Sequence, residues 1–148
     1  MTDTTQSAKT PWHVWVVGAV SLLWNAMGAM DFTLTEMRSE AYLKALTPEQ
    51  LAYFHGFPVW VVITWGLATW GGVVGSVLLL LRCRLALPVN LAVIIGMAFT
   101  FGYNYVLTDG LKVMGGGVGS LVFTAVIVVV GVLLLVYARA MRRRGVLR

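Results

Sequence analysis

The chain has 148 residues, of which 59% are hydrophobic and only 11% charged, with a formal net charge of +5. A soluble domain carries roughly 25% charged residues, so this chain cannot cover a water-facing surface, and its length leaves room for one domain. The lone Cys83 excludes an internal disulfide and a cysteine-rich zinc or iron–sulfur site.

The first apolar run covers residues 11–30. A transmembrane helix needs about 20 mostly apolar residues, and a signal-peptide core has only about 7–15. The leading segment is barely basic, Asp3 offsetting Lys9. An uncleaved span is therefore expected, although "NAMGAM" places small residues near its end. Asn25 is the most polar side chain well inside this span and is expected to hydrogen-bond across helices.

The segment 31–56 carries more helix signals than a connector needs. "SEAYLKAL" reads as a short helix capped by Ser39. In "TPEQLAYFHGFPVW", Thr47 is an N-cap and Pro48 falls at the first helical position, where its missing N–H costs nothing. Gln50 completes a capping box, and Gly56 with Pro58 ends the helix. A helical cap on the outer membrane surface is expected, with Tyr53, Phe54, Phe57 and Trp60 in an interfacial aromatic belt.

Three further spans are expected at about 57–81, 85–105 and 117–137, and none of the four contains Asp, Glu, Lys or Arg. Helices in lipid associate through close backbone approach, so small residues collect at their contacts. Residues four apart supply three such stripes: Ala68, Gly72 and Ser76; Ala92, Gly96 and Thr100; Gly116, Ser120 and Thr124. A tight bundle of the second, third and fourth spans follows, packed within one chain or between chains. "GGGVG", 115–119, lacks the Lys-Ser/Thr of a phosphate loop and reads as a flexible lead into the fourth span.

Lys and Arg in short loops set orientation. With both termini cytoplasmic, the inside holds Lys9, Arg82, Arg84, Arg139, Arg142, Arg143, Arg144 and Arg148, and the outside only Arg38, Lys44 and Lys112. Asp31, Glu36, Glu40, Glu49 and Asp109 all fall outside. The basic tail 138–148 then needs no nucleic-acid partner: it is a topology anchor, with anionic head groups as its sharper use.

No metal, cofactor or catalytic motif rises above chance. His13 and His55 lie roughly a membrane apart and cannot share one metal. Asp31, Glu36, Arg38, His55, Tyr103, Asn104 and Asp109 could line an outer polar vestibule. Trp24, Trp60, Trp65 and Trp70 could stack on a sugar-like ligand. Coupled carriers keep an ionisable group at membrane depth, and none is present.

"PWHVWVVGAVSLLWNAMGAMDF", "TPEQLAYFHGFPVW" and "RRGVLR" together resemble a group of short four-span bacterial membrane proteins, sometimes labelled "sugar transporter". That resemblance covers almost the whole chain and transfers no binding residue. The expectation is an all-α integral membrane protein of the bacterial inner membrane, not an enzyme. It has four transmembrane helices, a short helical cap in the first outer loop, and an accessory or structural role. Its partners are the lipid bilayer, a second copy or another membrane protein. The alternative is an oligomeric passive transporter of a small neutral solute such as a sugar.

Overall fold

The computed structural model describes residues 9–148. It is all-helical among these residues: α1 (His13–Glu36), α2 (Glu40–Leu43), α3 (Pro48–His55), α4 (Val59–Leu80), α5 (Ala86–Gly102), a π-helical turn (Tyr103–Leu107), α6 (Gly110–Val113) and α7 (Val118–Arg143). Four helices, α1, α4, α5 with its π turn, and α7, are long and apolar enough to cross a membrane.

Two expected boundaries move. The first span does not close at residue 30, because 31–36 contains no Gly, Pro or cap to stop it and α1 continues to Glu36. Arg38 ends it in a left-handed conformation, φ 54°, with Ser39 N–H donating to Leu34 O at 3.0 Å and Arg38 N–H to Thr35 O at 3.1 Å. This Schellman closure satisfies the last carbonyls. The fourth span likewise continues as helix through Arg143, so most of the basic tail is not a tail.

The cap helix α3 forms as its signals require. Gln50 N–H donates to Thr47 Oγ1 at 3.2 Å, and Thr47 N–H donates back to Gln50 Oε1 at 3.0 Å. Thr47→Ala is expected to cost about 1 kcal/mol, read as faster amide exchange over residues 48–52 with exchange in α4 unchanged.

Packing differs from the expected trio. α4 is the central helix, with α1 on one side and α5 on the other, and α7 packs against α5. Gly72 faces the Asn25 side chain of α1, and Gly75 faces Asn90 of α5. A Cβ on Gly96 would stand 2.8 Å from Thr64 O and 3.3 Å from Ala68 N, so here the backbones of α5 and α4 touch. Thr64 and Thr100 hydroxyls meet across the same interface at 3.1 Å.

The stripe expected on the fourth span does not follow this pattern. Gly116 precedes α7, and nothing lies within 4 Å of a Cβ there. Ser120 bonds only its own helix, to Gly117 O at 3.0 Å, while Thr124 meets the Tyr105 hydroxyl at 2.6 Å. The glycine that lets α7 approach α5 is Gly131, against Ile94 and Met97.

α1 and α7 do not pack along their length. Their ring contacts among the described residues are Trp24 on Phe123, with centroids 6.4 Å apart, and His13 hydrogen-bonded to Tyr137. A small core closes the arginine-rich end, where Val14, Leu79, Ala86, Ala138, Met141, Val146 and Leu147 are buried together.

Candidate functional site

The seam between α1 and α7 opens on a cavity of about 640 Å³. Each long helix contributes one face to it. From α1 come Trp24, Met27, Gly28, Asp31 and Thr35; from α4, Trp65, Ala68, Thr69 and Gly72. Asn90, Val93 and Met97 of α5 and Phe123, Ile127, Val130, Gly131 and Leu134 of α7 complete the walls. These spacings of three, four and seven are those of single helix faces. Tyr42, Leu46, Gln50 and Phe54 of the cap, with Met114, roof it.

The helices explain why the space persists. α1 is held to α4 by Asn25, whose Nδ2 donates to Ser76 Oγ at 3.0 Å and to Ser21 O at 2.9 Å. Ser76 in turn donates to Gly72 O at 2.8 Å. Asn90, 6% exposed, donates to Ala86 O at 2.7 Å. With α4 packed along both neighbours and α7 packed along α5 alone, the side between α1 and α7 is bridged only locally, at the Trp24–Phe123 and His13–Tyr137 contacts and in the core at the arginine-rich end.

The cap end is fastened by polar contacts. Tyr42 donates its hydroxyl hydrogen bond to Asp31. That bond, with burial and the carboxylate charge adding to it, pushes the Tyr42 pKa up to about 12. The neutral phenol is the favoured form, so the contact is fully present below pH 10 and is lost as pH rises through the raised value. Tyr53 donates to Asn104 Oδ1 at 2.8 Å and lies 2.7 Å from Thr108 Oγ1; burial raises its pKa, the Thr108 hydrogen bond opposing. Gln50 Nε2 donates to Val113 O at 3.2 Å. Phe54 stacks on Trp65 with centroids 5.9 Å apart, and Phe32 meets the edge of Trp65 at 5.0 Å.

The seven residues expected to form an outer vestibule do not form one group. Asp31 lies within α1 and lines the cavity. Asn104 joins Tyr53 of the cap, so the first loop and the C-terminal end of the third span do meet, but through Tyr53 rather than His55. Tyr103 packs edge-on against Phe57 and Trp60. Glu36, Arg38 and His55 are exposed, and Asp109 pairs with Lys112 at 3.1 Å on the surface. Of the four tryptophans weighed for ligand stacking, Trp24 and Trp65 line the cavity, whereas Trp60 and Trp70 do not.

Sequence reasoning missed Tyr42, Thr35, Thr69 and Gly131 as cavity residues. The α1 stripe from Trp24 to Thr35 was the readable signal. In an apolar helix, however, a face toward lipid and a face toward a cavity have the same composition. No group of three or more His, Cys, Asp or Glu side chains that could hold a metal occurs among the described residues. No protein-family model, curated protein or solved structure matches this chain.

Proposed function

We propose that this chain is a small, non-enzymatic integral membrane protein that holds an amphiphile between its helices. The observation that carries this reading is the cavity of about 640 Å³ at the α1/α7 seam. Ligand sites span roughly 300–1,000 Å³ and are mainly apolar with a few placed polar groups. A bundle with a purely structural role fills its interior to crystal-like density. The mostly apolar walls suit an amphiphile better than a free sugar, whose hydroxyls need many partners.

With the four long helices spanning a bilayer, a gap between two of them would face the hydrocarbon phase, and a ligand could arrive laterally without crossing water. The arginine-rich end, with Arg82, Arg84, Arg142, Arg143, Arg144 and Arg148, supports placing that end in the cytoplasm of a bacterial inner membrane, both termini with it. The cap then faces outward.

A filling substitution tests the reading. A Cβ on Gly28 would meet only Thr69 Cγ2, at 3.8 Å, so Gly28→Leu can project into the cavity without a backbone clash. Native mass spectrometry of protein extracted in mild detergent is expected to show a retained amphiphile on the wild type. Gly28→Leu should lose it while its melting temperature holds or rises. Equal retention by both proteins would remove the cavity as the site and leave the accessory role expected from sequence.

A further inference from the structure

We infer that the ligand is a long-chain amphiphile with a cationic head, an alkyl amine or quaternary ammonium, seated with its head at Asp31 and its chain along the α1/α7 seam. This rests on the binding reading above and adds the ligand's class and orientation.

The cavity is elongated. Its α1 wall runs from Trp24 to Thr35 and its α7 wall from Phe123 to Leu134. Eleven residues at 1.5 Å each give roughly 16 Å for each wall; the two helices are antiparallel and meet at Trp24 and Phe123, so the α1 wall extends from that contact toward the cap and the α7 wall toward the arginine-rich end. That length suits an extended alkyl chain and exceeds a compact solute.

The two ends differ in chemistry. Toward the arginine-rich end the polar groups are the neutral amides of Asn25 and Asn90, both already donating within the bundle. Toward the cap stands Asp31, the single charged residue of the lining. It is exposed, and among the described residues its side chain accepts a hydrogen bond from the neutral Tyr42 hydroxyl alone. No lysine or arginine belongs to the lining, so a positive head meets one negative charge and no repulsion. An anionic head would meet that charge uncompensated. Tyr42, Phe54 and Trp65 are placed in the same end of the cavity, and aromatic faces attract ammonium groups.

The test uses purified protein in nanodiscs of zwitterionic lipid. Trp24 and Trp65 serve as native reporters, quenched by three brominated probes of one chain length: an alkyl trimethylammonium, an alkyl sulfonate and an alkyl alcohol. The trimethylammonium probe is expected to saturate at about tenfold lower concentration than the sulfonate, an amount one ion pair of about 1.4 kcal/mol supplies. Asp31→Asn should abolish that preference and leave the alcohol's binding unchanged. Tyr42→Phe, which keeps the carboxylate, should preserve the preference, separating charge recognition from loss of the Tyr42 contact. Sulfonate binding as tight as the ammonium, or a preference that survives Asp31→Asn, would overturn the cationic assignment while the cavity stands as a site. If none of the three probes saturates, the binding reading itself fails.

Discussion

Gly96→Leu is expected to leave no stably folded protein. A Cβ at this position falls 2.8 Å from a carbonyl oxygen and 3.3 Å from an amide nitrogen of α4. Both are backbone atoms of a helix already packed against α1, so neither can turn aside as a flexible side chain would. Overpacking that side chains can absorb costs about 1–3 kcal/mol, and Gly96→Ala is expected at the upper end of that range. Leucine requires α5 to withdraw, which also breaks the Thr64–Thr100 contact and the Gly75–Asn90 approach. Melting and size-exclusion profiles in mild detergent check this, with Gly119→Leu as the control: nothing lies within 4 Å of its Cβ position. Equal behaviour of the two variants would refute the backbone contact between α4 and α5.

Leu147→Ala is expected to release the clasp at the arginine-rich end. α7 stops at Gly145, φ +68°, and Val146 N–H donates back to Met141 O at 3.0 Å. The chain then folds against the α4–α5 turn. Arg148 N–H donates to Arg82 O at 2.7 Å and Arg84 N–H to Arg148 O at 2.8 Å. Leu147, 5% exposed, is the buried anchor of this return. Truncating a buried leucine costs about 2–5 kcal/mol, more than two solvent-edge backbone bonds contribute at about 1 kcal/mol each. The clasp should therefore open locally while the contacts of α4 with α1 and α5 at Asn25, Gly72, Gly75 and Gly96 persist. Cys83 lies in the clasped turn and reports the change directly. Its alkylation rate is expected to rise at least tenfold in Leu147→Ala, with the global melting temperature nearly unchanged. An unchanged rate would show that the returning segment 146–148 is not what covers the turn.

Much of this arrangement was readable from residues. The four apolar runs, the short helix with Thr47, Pro48 and Gln50 in their capping roles, and the close-approach glycines Gly72 and Gly96 all follow from local rules. Length, capping chemistry and the absence of a Cβ act within one segment and need no knowledge of its neighbours. The helix ends were less legible. Arg38 stops α1 in a backbone conformation that costs roughly 1–2 kcal/mol for a side-chain-bearing residue, and no local preference announces it.

What the sequence by itself determined is thus the inventory: helices long enough to span, a capped segment between the first two of them, a separation of most arginines from most carboxylates, and the small residues that permit contact. Which helices use those contacts was decided only by the tertiary structure. Gly116, Ser120 and Thr124 repeat at the same spacing as Ala68, Gly72 and Ser76, yet only the latter stripe has an Asn25 to receive it. The physical reason is the solvent. In water an apolar face must point inward, so periodicity names the core. In lipid every face of a helix is apolar, and backbone fit and a few hydrogen bonds choose the partners. The same indifference hid the cavity: Trp24, Met27, Gly28, Asp31 and Thr35 become a wall only because α7 binds α5 and leaves its flank toward α1 unfilled.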